Sequence, residues 1–375
     1  MKILVISSNV LNPYLGPSTV TYNLMNGFYK IYHLLEKKDV ELIFLSLNER
    51  GIKDFGSRIK VVGAGYLPLT SITGELHSLV SSRNLKDIDI VHSHYIIHLV
   101  PWIFTRSFTV LTLHGVYWKE KYFNPINPIR RELNTLLLDL RFELLLKRLS
   151  RFIAISKYVM DELKRWHSIV SSKTVVIGNP ISDLFFEIKR NEAPMIIYPA
   201  RLSPRKNQLK FIKALSLIKN EVREYKLLFI GDGDYYYRKI LETFVKKNNL
   251  NNVSFTGKIP YHQLRSYYSQ ASLMALTSFQ ETLPMSVLEA MATGTPPLVS
   301  SVGGLKYLIE DFVNGLRVDP YNEKDIADKL LILLDDKNLR KRLSENARKT
   351  VEEYRSDKIA LKHLKLYERL YTQGD

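Results

Sequence analysis

The chain has 375 residues, of which 45% are hydrophobic, and its 54 Lys and Arg against 38 Asp and Glu give a formal net charge of +16 at pH 7. This length suits two domains, each with its own core. The lack of cysteine excludes disulfides and thiolate sites. Charged residues interrupt every Leu-rich segment, which argues against a membrane span. The positive charge favours anionic partners such as nucleotides, nucleic acids or acidic lipid.

The chain opens with a strand, a glycine loop and a helix, the usual start of a doubly wound α/β domain. Residues 3–7 (ILVIS) predict the strand, and a helix is expected from about Thr19 to Leu35. Gly16 lies in the loop between them and permits close approach of the backbone to a ligand, whereas Pro17 offers no N–H donor. A strand at the N-terminus differs from a cleavable leader, which argues against secretion.

Apolar runs predict further strands in the first half of the chain, at Val40–Leu47, Lys60–Val62, Ile88–Ser93 and Val110–Leu113. His92 and His94 lie on one face of the third of these, and a metal site there is the minor interpretation, because no third ligand is evident. His114 follows the fourth strand. Ligands bind at strand ends in α/β sheets, so His114 is predicted to belong to the functional site.

The segment Asn127–Phe152 predicts a long helix of leucines with arginines and lysines. Its main interpretation is a core-facing helix with a charged outer face. The alternative is a basic surface that rests on anionic lipid. A strand and a helix joined at Ser156 follow, and the polar segment Lys189–Pro194 predicts a domain boundary.

Two loops in the second half follow predicted strands and carry candidate ligand-binding residues. Arg201 and Lys206 flank a turn after the strand Met195–Ala200, and two cations so placed suit a diphosphate. Gly231 and Gly233 follow the strand of KLLFI, although a GxG pattern alone is weak evidence.

The stretch Ser278–Leu305 combines a loop, a helix that starts near Pro284, a buried strand and a glycine loop. The N-terminus of a helix attracts phosphates. Glu289, inside the helix, can accept hydrogen bonds from vicinal hydroxyls such as those of a ribose, and Glu281, in the loop, can meet a second polyol. The alternative is an amphipathic helix with two solvated glutamates. A strand at Gly315–Val318 and two helices complete the prediction.

These segments resemble the retaining glycosyltransferases of family 4. Glu281, Glu289 and the following AMATGTP are similar to the E-x7-E signature and its EAMAxGxP segment. The segment ARLSPRKN resembles the GRLxxxKG loop, with Asn207 where glycine is common, and GDGD resembles xGxGP with Asp234 in place of proline. The resemblance implies an α/β protein of the GT-B fold, with two Rossmann-like doubly wound parallel-sheet domains facing across a cleft.

The family further implies an acceptor-binding domain at residues 1–190, a nucleotide-sugar-binding domain at 191–356, and a last helix, about 357–375, that packs back on the first domain. It implies retaining transfer of a hexose from a UDP-, GDP- or ADP-sugar to a glycan, lipid or small-molecule acceptor, without a metal or other cofactor. We expect a cytoplasmic protein, with peripheral contact at the anionic inner face of the cell membrane as a further possibility, and no nucleic-acid partner.

In this interpretation Arg201 and Lys206 neutralise the leaving diphosphate, Glu281 holds the transferred sugar, and Glu289 binds the ribose. The backbone near Lys258 and Ile259 would meet the nucleotide base. The predicted catalytic residues are His114, Arg201, Lys206 and Glu281. The predicted donor-binding residues are Gly16, Gly231, Gly233, Lys258, Ile259, Leu283, Pro284, Met285 and Glu289.

Three alternatives stay open from the sequence. A nucleotide-sugar epimerase of the same architecture would need acid and base side chains around C2 of an N-acetylhexosamine, which the E-x7-E framework does not favour. A nucleic-acid-binding protein would explain the charge, but the basic residues are spread over both domains without a recognisable module. A noncatalytic sugar-binding relative is the third.

Overall fold

The computed structural model describes residues 1–11, 16–65, 87–116, 146–166 and 168–373. The chain divides into two compact units. The first unit comprises Met1–Pro180 together with Tyr354–Asp375, and the second comprises Ile181–Glu353. The last segment of the chain therefore belongs to the same unit as the first.

The first sheet has eight strands in the described part of the chain, in the order β3-β4-β2-β1-β5-β6-β7-β8, and all neighbours are parallel except β3 and β4. The strands are β1 (Lys2–Ser7), β2 (Glu41–Ser46), β3 (Arg50–Asp54), β4 (Ile59–Ala64), β5 (Ile90–Ser93), β6 (Phe108–Leu113), β7 (Arg151–Ala154) and β8 (Thr174–Val176). The inner strand β1 is buried from Ile3 to Ser7, as a parallel strand covered on both faces should be.

The second sheet has six strands, all parallel, in the order β11-β10-β9-β12-β13-β14. The strands are β9 (Ala193–Pro199), β10 (Lys226–Ile230), β11 (Val253–Gly257), β12 (Ala271–Leu276), β13 (Pro297–Ser300) and β14 (Leu316–Val318). Because the strands are parallel, the loops that follow them emerge along one edge. We call this the carboxyl edge of the second sheet.

Helices connect most of these strands. In chain order they are α1 (Gly16–Lys30), α2 (Tyr32–Lys37), α3 (Lys157–Trp166), α4 (Ser168–Ser172), α5 (Leu184–Glu187), α6 (Gln208–Leu217), α7 (Tyr235–Lys247), α8 (Tyr261–Gln270), α9 (Met285–Thr293), α10 (Leu305–Leu308), α11 (Glu323–Asp335), α12 (Lys337–Val351) and α13 (Ser356–Gln373), with short 3-10 helices at Ile96–Trp102, Pro204–Lys206 and Glu352–Tyr354. Among the helices of the described residues, none combines the length and apolar character needed to cross a bilayer.

The second unit begins at Ile181, before the polar segment Lys189–Pro194 that was predicted as the domain boundary. Helix α5 already packs within the second unit, because the ring of Phe185 contacts the rings of Tyr261 and Tyr268 edge to face, with centroids 5.4 and 5.8 Å apart. The guanidinium of Arg190 also donates to the Thr295 hydroxyl at 3.0 Å. The polar composition marks a surface loop, and the change of unit lies a few residues earlier.

The last helix, α13, packs against α1 within the first unit. A Cβ atom on Gly27 of α1 would overlap the carbonyl oxygen of Ser356, so the two helices approach at a glycine. The rings of Phe28 and Tyr367 stack with centroids 6.4 Å apart. Further along the same contact, the Tyr367 hydroxyl lies 2.7 Å from Nδ1 of His92 on β5.

Several predicted elements differ from the structure. The helix expected from Thr19 to Leu35 is divided into α1 and α2, because Ile31 departs from helical geometry. Strand β3 was not predicted, since all five of its residues are exposed and lack an apolar pattern. Two helices were expected after β14, but Asp336 interrupts the first and caps α12 by accepting from the amide of Leu339 at 2.8 Å.

The long basic helix predicted at Asn127–Phe152 falls mostly outside the described residues, which resume at Leu146. Its predicted end is wrong, because Arg151 and Phe152 belong to β7. The backbone of Phe152 instead pairs with β8 and β6 in the sheet.

Candidate functional site

An ion pair between Lys206 and Glu281 lies at the carboxyl edge of the second sheet. The Lys206 ammonium is 2.5 Å from Oε1 of Glu281, and the two side chains are 14% and 6% exposed. Lys206 comes from the loop after β9, and Glu281 comes from the loop after the neighbouring strand β12. Two residues predicted to act on different parts of a ligand are thus in direct contact.

The loop that carries Lys206 is fixed by Asn207. This residue has a left-handed backbone with φ of 58°, a conformation that glycine adopts freely and asparagine tolerates. Its side-chain amide donates to the carbonyls of Thr277 and Pro320, both at 2.9 Å. Position 207, where the family commonly has glycine, therefore requires a positive φ. Asparagine at this position adds two side-chain hydrogen bonds that glycine could not make.

The hydroxyl of Tyr198, on β9, joins the same two loops. It donates to the carbonyl of Lys206 and accepts from the amide of Thr277 at 2.9 Å. Burial raises the pKa of Tyr198, so the hydroxyl keeps its proton and remains a donor. This fixed contact holds the base of the Lys206 loop against β12.

Arg205 is a cation that the sequence interpretation missed. Its guanidinium donates to the carbonyl of Gln280 at 3.1 Å, next to Glu281, and its own carbonyl accepts from the amide of Phe279 at 2.9 Å. The side chain of Arg201, in contrast, is exposed, while its carbonyl accepts from Gln208 at 2.9 Å. The only sequence signal for Arg205 was its position beside Lys206.

Gly231 and Gly233 follow β10 and lie against the loop that follows β9. A Cβ atom on Gly233 would overlap the carbonyl oxygen of Leu202, and one on Gly231, where φ is 138°, would overlap the carbonyl oxygen of Ala200. Both glycines are therefore required by the approach of the chain to itself. The packing of the two loops is therefore enough to explain why both positions are glycine, even if no ligand binds there. The contact of Gly231 and Gly233 with the donor stays a prediction.

We expect Gly233→Ala to lower the free energy of unfolding by about 1 to 3 kcal/mol, because the added methyl group must displace backbone atoms. Urea denaturation would measure the loss. Gly16→Ala is the matched control, since a Cβ there meets no atom within 4 Å of the described structure. Equal stability of the two variants would contradict the steric explanation.

Glu289 lies inside α9 and is buried. Oε2 of its carboxyl group accepts from the Tyr268 hydroxyl at 3.2 Å. Burial raises the pKa of Glu289 to about 8, and the hydrogen bonds from Tyr268 and Tyr261 only partly oppose this shift. The carboxyl group is consequently largely protonated at pH 7 in this arrangement.

The start of α9 faces the same edge as Glu281. Pro284 is the N-cap residue, and Met285 is the first helical residue. The helix therefore begins one residue later than it would if Pro284 lay in the first turn. The first turn has no acidic side chain, and Leu283 and Pro284 are buried, whereas Met285 is partly exposed. The carbonyl of Glu281 also accepts from the amide of Gly304 at 3.0 Å, so the glycine loop after β13 borders this position.

The remaining donor-binding candidates occupy other strand ends. Lys258 and Ile259 follow β11, and the carbonyl of Gly257 accepts from the amide of Gly231 at 2.9 Å. Lys258 is exposed and Ile259 is partly buried. Gly16 begins α1 in the first unit.

His114 follows β6 in the first unit and is half-buried. Together with four buried histidines it forms a group that we call the histidine cluster. Nε2 of His114 lies 2.7 Å from Nδ1 of His94. The members of the cluster are His92, His94, His98, His114 and His363. Burial lowers the pKa of His98, His114 and His363 to about 4, and it lowers the pKa of His92 and His94 well below the ordinary value.

The geometry does not favour a metal at His92 and His94. The two ring nitrogens of His92 lie 2.7 Å from the hydroxyls of Tyr367 and Thr112. Nδ1 of His94 is engaged by His114. Within the described ranges, no group of three or more His, Cys, Asp or Glu side chains is arranged to hold a metal ion.

The predicted residues of the second unit therefore gather on one sheet edge, with Glu289 buried in the helix behind it. Those of the first unit, His114 and Gly16, lie at the ends of β6 and at the start of α1. An edge with cationic side chains, an ion pair and a helix N-terminus can bind an anionic ligand with attached hydroxyl groups.

Two family models match the chain. The model of glycosyl transferases group 1 matches residues 181–350, and the model of glycosyltransferase family 4 matches residues 28–183. The two matches meet at the boundary between the two units.

Curated relatives carry the same assignment. An uncharacterised glycosyltransferase of Methanocaldococcus jannaschii is 27% identical over 299 residues, which cover 76% of each chain. The α-1,4-N-acetyl-D-galactosaminyltransferase of Campylobacter jejuni, whose name gives a saccharide on diphospho-undecaprenol as acceptor, is 32% identical over 186 residues, which cover 49% of this chain and 50% of that protein. These relatives favour a transferase over an epimerase or a nucleic-acid-binding protein.

Solved structures agree on the fold. Sucrose-phosphate synthase of Thermosynechococcus elongatus has a TM-score of 0.81 at 22% identity and covers 99% of both chains. HepE of Anabaena, solved with UDP and glucose, has a TM-score of 0.74 at 18% identity and covers 98% of this chain and 99% of its own. The expected GT-B fold, with two parallel-sheet α/β domains, is confirmed. The chain belongs to the glycosyltransferases of group 1, of the family 4 type, and is an enzyme that transfers sugars.

Proposed function

We propose that this enzyme moves a hexose from a nucleotide-diphosphate sugar to an acceptor with retention of the anomeric configuration, and that the second unit binds the donor. The observation that carries this proposal is the Lys206–Glu281 pair at the carboxyl edge, beside the start of α9. A diphosphate needs cations and amide donors, and the attached sugar needs hydroxyl acceptors. Both kinds of group occur here within one short span of the sheet edge.

In this proposal Lys206 neutralises the charge that develops on the leaving diphosphate, together with Arg201 and the positive end of α9. The Lys206 ammonium has three N–H donors, so it can contact Glu281 and a phosphate oxygen together. Glu281, oriented by Lys206, accepts from hydroxyl groups of the transferred sugar. Arg205 supports this arrangement through its hydrogen bond to the carbonyl of Gln280.

The remaining assignments follow the family. His114 would hydrogen-bond to the donor sugar as a neutral imidazole, because burial lowers its pKa to about 4. Retention would result from attack by the acceptor on the face that the diphosphate leaves, without a covalent intermediate or a metal ion. The first unit, with Gly16 at the start of α1, would hold the acceptor and border the donor phosphates.

Glu289 is proposed to bind the ribose of the donor. Its two oxygens can accept from both vicinal hydroxyls once it is ionised, whereas the protonated acid offers fewer acceptor sites. Because the pKa of Glu289 is raised to about 8, ionisation is incomplete at pH 7. Donor affinity should therefore increase as the pH rises from 7 through 8.

Above pH 8, where Glu289 is mostly ionised, we expect Glu289→Gln to weaken binding of the cognate nucleoside diphosphate roughly tenfold to hundredfold, because hydrogen bonds to a charged group contribute about 1.5 to 3 kcal/mol. Calorimetric titration with UDP, GDP and ADP, each with and without Mg²⁺, would identify the base and test the metal independence. UDP is the first ligand to test, since HepE was solved with it. The pH-dependent rise in affinity should disappear in the variant.

Glu323→Gln is the matched control, because Glu323 pairs with Lys210 on another helix and is not assigned to the site. Its affinity should equal that of the parent. The donor assignment would be rejected if no nucleoside diphosphate bound the parent. If a nucleotide bound the parent and both variants equally, the donor site would stand and the role of Glu289 would fail.

A further inference from the structure

A basic groove lies between α6 and α7 on the surface of the second unit. Its volume is about 400 Å³, and we call it the α6–α7 groove. Apolar atoms of Leu209, Ile240 and Phe244 form part of its lining. Its complete lining is Leu209, Lys213, Lys239, Ile240, Thr243, Phe244 and Lys247. Among these described residues, three are lysines and none is acidic.

The outer face of α7 extends this groove. Tyr236, Lys239, Ile240, Thr243 and Lys247 recur at helical spacing and are all exposed. Tyr236 is 78% exposed and Ile240 is 52% exposed. Ile240 therefore shares the open surface of α7 with the rings of Tyr235 and Tyr236, and lysines border these apolar side chains, which is the composition of an interaction surface.

The charge of the groove is mostly uncompensated. Lys239 lies 3.7 Å from Glu242, which also pairs with Arg238 at 2.8 Å. In the part of the chain that the structure describes, no carboxylate lies within ion-pair distance of Lys213 or Lys247, and Glu323, which pairs with Lys210, acts on Lys213 only from a longer distance. The ammonium groups of Lys213 and Lys247 can thus contact an anionic partner.

We propose that the α6–α7 groove is a docking surface for an anionic lipid bilayer. Lysines can keep their ammonium groups at the level of lipid phosphates while their carbon stems lie along apolar surface. Tyrosine side chains suit the same boundary between apolar and aqueous regions, and Tyr235, next to Tyr236, is also exposed. An apolar floor with a basic rim complements a bilayer surface better than a nucleic acid, whose phosphates offer the floor no apolar contact.

Vesicle co-sedimentation tests this proposal without donor or acceptor, and so independently of the proposed function. The vesicles would contain phosphatidylcholine alone or a mixture with phosphatidylglycerol. We expect the parent to bind only the mixed vesicles, and less so at high salt. The double variant Lys213→Gln/Lys247→Gln should bind more weakly by about fivefold per lysine removed. Ile240→Ser should also weaken binding.

The matched control is Lys337→Gln/Lys341→Gln, which removes the same charge from exposed positions on α12. All variants change surface side chains, and thermal unfolding would verify that they fold. Equal loss of binding in the two double variants would overturn the proposal, because net charge alone would then explain the attraction. Failure of the folded parent to bind mixed vesicles would also overturn it and would favour an acidic protein as the occupant.

Discussion

Lys206→Ala is expected to lower kcat/KM for glycosyl transfer roughly thirtyfold to a thousandfold. This corresponds to a loss of about 2 to 4 kcal/mol in transition-state stabilisation. Lys206 is the cation best fixed at the carboxyl edge, since its loop is tied through Asn207 and Tyr198. A cation held in place before the reaction stabilises developing phosphate charge without reorganisation. Initial-rate measurements with the nucleotide sugar identified by the binding panel would give the value.

Lys210→Ala is the control for this experiment. Lys210 is on α6, a few residues further along, but its ammonium pairs with Glu323 at 2.8 Å. We expect parent-like activity from that variant. Removal of Lys206 also leaves Glu281 buried without its partner, so thermal unfolding of Lys206→Ala must show that the variant is still folded when its rates are measured. Activity of Lys206→Ala within a few-fold of the parent would show that the cation is misassigned.

The first unit is expected to lose stability steeply as the pH falls from about 6.5 to 4. An unfolded histidine has a pKa of about 6.5, whereas burial lowers the pKa of His98, His114 and His363 to about 4. The unfolded state therefore binds more protons in this range. The stabilisation is present above pH 6.5 and is lost as the pH falls through the folded pKa values, at about 3 kcal/mol for each such histidine.

Tryptophan fluorescence can follow this change in the first unit, because Trp102, Trp118 and Trp166 all belong to its sequence. Urea denaturation at a series of pH values would give the proton uptake on unfolding. His363→Gln should reduce that uptake, since it removes one buried imidazole while an amide can still reach the carbonyl of Ile359. His33→Gln, at an exposed position, should give the parent profile. An unchanged profile in His363→Gln would contradict this explanation.

The sequence predicted the elements that depend on local pattern. Buried parallel strands are continuous apolar runs, so β1, β6 and β10 were all anticipated within a few residues. The loop and helix around Glu281 and Glu289 were also predicted, because their motif extends over many adjacent positions. Exposed elements such as β3 gave no such pattern.

The contacts of the candidate site could not be predicted from the same information. Lys206 and Glu281 are 75 residues apart in the chain, and they meet because β9 and β12 are neighbours in the sheet. The burial of Glu289 also depends on a contact between distant parts of the chain, because Tyr268 of α8 packs against it and donates a hydrogen bond to its carboxyl group. Gly233 was assigned to donor binding, and its close approach to the carbonyl of Leu202 was not predicted, because that contact joins two loops that are distant in the sequence.

The position of α13 has a consequence for the order in which the protein can fold during synthesis. Its side chains supply part of the first core, where Tyr367 reaches His92 on an inner strand. A ribosome releases these residues only after it has made the whole of the second unit, which lies between them and Pro180. The second unit, continuous from Ile181 to Glu353, can therefore complete its core first, reversing the usual sequence in which N-terminal domains fold earliest.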